Sequence, residues 1–235
     1  MSNQIMFSDE QAMLLDTAAE FCRKHSPIET VRARLDADQI DAATWQEITE
    51  LGWLGINVPE EFGGLGLGLS CVVPVAESMG RYLMGSPYGG AIIASECLAT
   101  SGSREQKEEW LPKIVSGAIG SMALTETNGN WILDEIEAQA VVRTDMLELS
   151  GTKCFVTDAD AAKFCIVSVN VEAKARLALV KREQIPDGNL HREIVIDETR
   201  RSYQLDLDGI TVPVDQLLGG SDFQAIEFAS LLLLS

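Results

Sequence analysis

Histidine is almost missing from this chain: two in 235 residues, His25 and His191, far apart and without neighbours suited to join them. That scarcity excludes a centre built mainly on imidazole, which needs several such ligands converging on one ion, so no metal site is expected. Paired cysteines are missing too. Cys22, Cys71, Cys97, Cys154 and Cys165 are odd in number and form no C-x-x-C pair. Each sits among apolar neighbours, which suits reduced core residues of a cytoplasmic protein rather than a disulfide frame. The opening MSNQIMFSDEQ has no basic region leading into an apolar run, so it reads as neither secretory signal nor transit peptide. No run of about 20 apolar residues exists to span a membrane as a helix. Positive charge is scarce, with 18 Lys and Arg against 36 Asp and Glu. The net charge of −18 divides equally between residues 1–120 and 121–235. Such an even negative field disfavours nucleic acid and anionic membranes as partners and aids solubility. Nucleophile elbow, P-loop and G-x-G-x-x-G followed by an acidic residue are all absent.

What the first half does contain is helical spacing. Ser8-Asp-Glu-Gln11 is a capping box, in which hydroxyl and amide side chains satisfy free N–H groups. Leu14, Ala18, Phe21 and His25 then recur at three and four residues, and Pro27 closes the helix. Asp41 caps a second helix, with Trp45, Ile48 and Leu51 on one face and Gly52 at its end. Leu69 to Leu83 reads as a third, kinked or started by Pro74, and Ser86-Pro87 opens a fourth. Ser103-Arg-Glu-Gln106 is a further capping box before Trp110, Leu111, Ile114 and Val115. Short connections make this one bundle.

After Gly120 the period becomes two. Ile136, Ala138, Ala140 and Val142 alternate with more polar residues. Strand-like runs follow at 146–149, 153–157, 164–171, 177–180, 194–196, 203–207 and 210–212, separated by turn signals such as Asp208-Gly209. The expected class is therefore α+β: a helical bundle at 1–118, an antiparallel β-barrel or sandwich at 119–220, and the start of a second helical domain at 221–235. The last segment ends Ser230-Leu-Leu-Leu-Leu-Ser, about three turns into a helix that is apolar on most sides. Such a helix must be buried, so a fragment, or a last helix docked on another chain, is expected.

Three stretches draw attention for chemistry. Gly63-Gly-Leu-Gly-Leu-Gly68 lacks a phosphate-cradling spacing, and a tight loop needing glycine backbone angles accounts for it at least as well as a ligand. Phe155 and Thr157 are two apart on one strand face; spacing alone favours core and surface by alternation over a ring and hydroxyl beside a flat heterocycle. SMALTETNGNWI, residues 121–132, sets a polar cluster against an apolar segment, which serves either a turn or a ligand.

Four segments, in order, resemble the acyl-CoA dehydrogenase family of flavoproteins. Leu51-Gly-Trp-Leu-Gly-Ile-Asn-Val-Pro-Glu-Glu-Phe-Gly-Gly-Leu-Gly66 is similar to the family's long GxxG-x-x-x-PEExGGxG signature. Ala123-Leu-Thr-Glu126 resembles A-L-T-E-P, and Leu149-Ser-Gly-Thr-Lys-Cys-Phe-Val-Thr157 resembles L-x-G-x-K-x-W-I-T. Asp208-Gly-Ile-Thr-Val-Pro213 with Leu217-Leu-Gly219 is similar to D-G-V-x-V-P-x-x-x-L-L-G. The resemblance implies an N-terminal α domain, a middle β domain and a C-terminal α domain, with FAD held between the last two. It implies that Leu124 and Thr125 meet the flavin pyrimidine edge, that Phe155 packs beside the isoalloxazine, that Thr157 bonds near its reactive centre, and that Met122 meets substrate. It also implies α,β-dehydrogenation of an acyl-CoA thioester, electron-transfer flavoprotein as electron acceptor, and a homo- or hetero-oligomer.

Two departures qualify it. Where the family continues P-x-(A)GSD toward the FAD pyrophosphate, this chain has Thr127-Asn-Gly-Asn-Trp131, and Gly129 and Asn130 are weak substitutes. The family's catalytic glutamate and an FAD-contacting arginine fall in the C-terminal domain, for which this chain offers only Glu227. A non-catalytic subunit with a degraded FAD site, or a flavin oxidase or monooxygenase of the same fold, are the alternatives.

Overall fold

The computed structural model describes residues 7–35, 37, 39–129 and 135–219. Asn130 and Glu227 lie outside these residues.

Six α-helices come first: α1 (Asp9–His25), α2 (Ile28–Ala33), α3 (Ala42–Glu50), α4 (Val73–Arg81), α5 (Tyr88–Ser101) and α6 (Arg104–Val115). The expected caps form. Gln11 N–H donates to Ser8 Oγ at 3.3 Å and Ser8 N–H to Gln11 Oε1 at 3.0 Å. Ser103 and Gln106 repeat the arrangement, and Asp41 caps α3. His25 is accounted for structurally, since its ring stacks on Phe21 at 4.4 Å and its Nε2 lies 3.1 Å from Glu47. The expected third helix is divided. Leu69–Cys71 forms a 3₁₀ turn, and α4 begins only at Val73 with Pro74 in its first turn, where a missing N–H costs nothing.

Ten strands follow: β1 (Gly120–Ala123), β2 (Thr125–Glu126), β3 (Gln139–Arg143), β4 (Met146–Ser150), β5 (Thr152–Thr157), β6 (Phe164–Val171), β7 (Lys174–Lys181), β8 (Leu190–Glu193), β9 (Ser202–Asp206) and β10 (Thr211–Pro213). One sheet runs β1-β6-β3-β4-β10, with β7 also paired to β6; the second runs β2-β5-β9-β8. The α+β class holds, with helices preceding a two-sheet β region. The pairing is not wholly antiparallel, because β6 runs parallel to β1 and, through Gln139 and Asn170, to β3. That central position explains why β6 is buried along nearly its whole length rather than alternating. The expected strand at 194–196 is absent: Ile194 and Ile196 lie outside any strand and are fully exposed. Val142, expected inward, is also exposed. All five cysteines are free and buried.

The glycine-rich loop is architectural. Leu65, Gly66 and Leu67 N–H groups donate back to Gly55, Val58 and Ile56 carbonyls at 2.8–2.9 Å. A Cβ on Gly64 would lie 2.0 Å from the Val58 carbonyl oxygen. No residue of 63–68 lines the cleft described below.

Helices and sheets meet where α5 packs on β1. A Cβ on Gly120 would lie 2.6 Å from the Phe164 ring and 2.8 Å from Ala94, so only glycine permits this approach. Gly120→Ala is expected to destabilise the protein by about 1–3 kcal/mol, the usual effect of overpacking. Thermal or urea denaturation checks this; a variant as stable as the parent would contradict the close seating of α5 on β1.

Candidate functional site

The seam between helices and sheets holds a cleft of about 590 Å³. Its helical wall comes from 69–73, α4, the following turn and α5; its sheet wall comes from Met122, Leu124, Thr125, Phe155 and Thr157. Those are all the site residues expected from sequence that fall among the described residues. Asp197, Thr199 and Arg200 close one side.

The sheet wall owes its shape to a crossing. β1 belongs to one sheet and β2 to the other, so the chain changes sheets at Leu124. Below that crossing lies a buried polar cluster. Lys153 Nζ is 2.6 Å from Glu126 Oε1, 2.8 Å from Ser168 Oγ and 3.4 Å from the Leu124 carbonyl oxygen. Ser168 donates to the same carbonyl at 3.2 Å. Glu126 also accepts the backbone N–H groups of Glu137 (2.7 Å) and Ala138 (2.9 Å). Burial would raise the Glu126 carboxyl, but the Lys153 ammonium and the two N–H donors outweigh it and hold it below its ordinary value. Lys153 is shifted downward by its burial, partly offset by Glu126. Lys153 and Ser168 escaped the sequence reading. Their only signal was the lysine within the L-x-G-x-K-x-W-I-T resemblance.

β5 departs from regular alternation where its side chains reach the cleft. Its register with β9 shifts between Lys153 and Val156, and Phe155 sits at φ 57°, a left-handed conformation that is strained for a bulky residue. Glu193 holds this bulge, accepting from Phe155 N–H at 2.9 Å and from the Ser202 hydroxyl at 2.7 Å. Phe155 is consequently 55% exposed. Beyond Thr157, the Asp158 carboxylate accepts from Arg201 Nε at 2.8 Å, and Asp158 N–H donates to the Arg201 carbonyl at 2.8 Å, tying the end of β5 to the 197–201 segment. Burial raises the Asp158 carboxyl despite Arg201 and Arg200.

Several polar atoms of the cleft wall lack protein partners among the described residues. The Thr125 and Thr157 hydroxyls make no hydrogen bond there, and the Tyr88 hydroxyl and Arg200 Nε are buried without one. Buried polar groups are ordinarily paired, so the Tyr88 hydroxyl and Arg200 Nε are suited to a ligand or an ordered water, and the two threonine hydroxyls are open to one. A flat exposed ring, unpartnered hydroxyls and a backbone crossing along one wall fit a flat heterocycle with hydrogen-bonding edges. Sequence gave no cue for Tyr88, Glu96 or Arg200 in this wall. Among the described residues, no group of His, Cys, Asp and Glu is placed to hold a metal ion.

Residues 8–118 match the family model described as "Acyl-CoA dehydrogenase, N-terminal domain". The chain is 30% identical over 224 residues to acryloyl-CoA reductase (NADH) of Anaerotignum propionicum, covering 89% of this chain and 56% of that protein. It is 29% identical over 180 residues to the mitochondrial isovaleryl-CoA dehydrogenase of Bos taurus, covering 72% and 41%. In fold it is similar to butyryl-CoA dehydrogenase of Megasphaera elsdenii, with a TM-score of 0.82 and 22% identity over 96% of this chain and 63% of that one. The chain belongs to the acyl-CoA dehydrogenase family. It spans about half the length of the curated relatives it matches.

The Glu126–Lys153 pair generates a pH prediction. A carboxyl held low in the folded state stabilises the protein above its unfolded-state pKa, and that stability is lost as pH falls through the folded-state value. Melting temperature should therefore drop on acidification more steeply in the parent than in Glu126→Gln. At neutral pH, Glu126→Gln should cost about 3–5 kcal/mol, since it leaves Lys153 buried without its counter-charge. Parallel melting curves across the acid range, or a neutral-pH variant as stable as the parent, would contradict the pairing.

Proposed function

We propose that this chain forms the flavin-facing wall of an acyl-CoA dehydrogenase-like flavoprotein. The observation that carries this reading is convergence: Met122, Thr125, Phe155 and Thr157, from three strands in two sheets, and Leu124, at the crossing between them, line one cleft. In this reading the Leu124–Thr125 backbone and the Thr125 hydroxyl hydrogen-bond the pyrimidine edge of FAD. The Phe155 ring lies against the ring system, and Thr157 donates near its reactive centre. Met122 borders the acyl thioester. FAD supplies the hydride acceptor when bound, and the reaction is α,β-dehydrogenation of an acyl-CoA.

The protein groups position and exclude water. Most of the helical wall (Val72, Ala76, Ile92 and Ile93 among others) is apolar, which strengthens hydrogen bonds to a thioester carbonyl and favours loss of its weakly acidic α proton. Glu227 is the candidate carboxylate base in this chain. Electron-transfer flavoprotein is the proposed electron acceptor, and a homo- or hetero-oligomer the proposed assembly. Among the described residues no helix is long and apolar enough to cross a membrane.

A second reading is favoured by one stretch. Thr127-Asn-Gly-Asn-Trp131 has none of the proline, serine and aspartate with which the resembled motif approaches the FAD pyrophosphate. The chain would then be a supporting subunit of a hetero-oligomer with a weakened FAD site.

Titrating the protein with FAD and following flavin fluorescence separates these. The leading reading predicts one FAD per chain. It also predicts that Thr157→Val and Phe155→Ala each weaken binding about five- to tenfold, as expected for one lost hydrogen bond or ring contact. Binding that develops only with a partner dehydrogenase present supports the subunit reading. Binding unaffected by both substitutions would overturn the placement of the flavin.

A further inference from the structure

Among the cleft groups that the proposed chemistry does not use is a carboxylate on α5, Glu96. Gly89, Ile92, Ile93 and Glu96 of α5 form a single stripe, at spacings of three and four, that faces the cleft. The same helical wall also carries the apolar Leu69, Val72 and Ala76. Glu96 is half-buried at its end. One of its oxygens is fixed, since Asn57 Nδ2 donates to Glu96 Oε2 at 3.0 Å. Asn57 is itself clamped by buried Ser95, through contacts of 3.1 and 3.2 Å, and the Ser95 hydroxyl also donates to the Ile92 carbonyl at 2.8 Å. The second carboxylate oxygen, Oε1, has no partner among the described residues.

The helix also sets a distance. Gly90 packs beside Thr157, where a Cβ would lie 3.7 Å from the Thr157 hydroxyl. Six residues separate Gly90 from Glu96, so Glu96 lies about 9 Å further along the helix axis. That separation sets the Glu96 backbone well away from atoms reacting beside Thr157, whereas direct proton transfer needs heavy atoms within about 3 Å. It suits the far end of a chain running along α5. A plain alkyl end there would desolvate a carboxylate oxygen without giving it a donor, which is costly. An end bearing a donor would complete the pre-set acceptor.

We propose that the cleft takes an acyl thioester whose far end carries a hydrogen-bond donor, of which a hydroxyl is the simplest, and that Glu96 receives it. This rests on the acyl-CoA reading of the same cleft. Glu96 is then a specificity-determining residue rather than a catalytic one.

The test is binding by calorimetry of the FAD-supplemented protein to straight-chain acyl-CoA thioesters from butanoyl to decanoyl and to their ω-hydroxy counterparts. At the best-fitting length the parent should favour the hydroxylated thioester by about tenfold or more, as for a hydrogen bond to a charged acceptor. Glu96→Leu should reverse that preference. Glu96→Gln, which preserves shape and an acceptor, should reduce it without reversal and guards against a folding defect in the leucine variant. Binding of both series with no preference, or a preference unchanged in Glu96→Leu, overturns the proposal while leaving the acyl-CoA reading standing. Failure of every thioester to bind overturns the acyl-CoA reading, and this proposal with it.

Discussion

The buried contact between Lys153 and Glu126 is the constraint on which the site depends. At Leu124 the chain leaves one sheet and enters the other, and such a crossing leaves backbone groups without a regular ladder. Lys153, contributed by the second sheet, bonds the carboxylate two residues past the crossing and reaches toward its carbonyl. Ser168, from the first sheet, donates to that carbonyl as well. Glu126 in turn accepts the two N–H groups that lead into β3. One cluster therefore joins both sheets and fixes the backbone that the proposed flavin edge would meet. Two ionised groups out of water are tolerable only because every strong donor and acceptor is matched.

The opposite edge of the same wall is held by strain rather than by regular pairing. Phe155 adopts a backbone angle that costs on the order of 1–3 kcal/mol for a non-glycine residue. Glu193 restrains it from β8, one strand beyond β9, and Asp158 with Arg201 anchors the chain just beyond. The outcome is an aromatic ring presented to the cleft instead of folded into the core. A strained conformation maintained by a buttressing carboxylate is the kind of outlier that clusters at ligand sites, and it supports the proposed role of Phe155.

Much of this was legible in the sequence, for reasons that differ by residue. Ser8, Asp41 and Ser103 announce helix starts because capping is a local interaction. The change of period after Gly120 announces strands because side-chain alternation is local too. Leu124, Thr125, Phe155 and Thr157 came from a motif resemblance; spacing alone favoured a structural role for Phe155 and Thr157. Contacts between distant segments were hidden. Nothing near Lys153 signals that Glu126 and Ser168 will surround it, and nothing near Glu96 signals that its helix face lines a cleft. Periodicity also misled at Ile194 and Ile196. A short apolar alternation there resembles a strand, yet β8 ends at Glu193, whose carboxylate serves the β5 bulge.

The central claim is that the seam between α5 and the two sheets is a flavin site. A crystal structure of the protein grown with FAD tests it most directly. The account predicts an isoalloxazine ring in the cleft, against Phe155 and with its pyrimidine edge at Leu124 and Thr125. FAD bound elsewhere on the molecule, with the cleft free of it, would contradict the account.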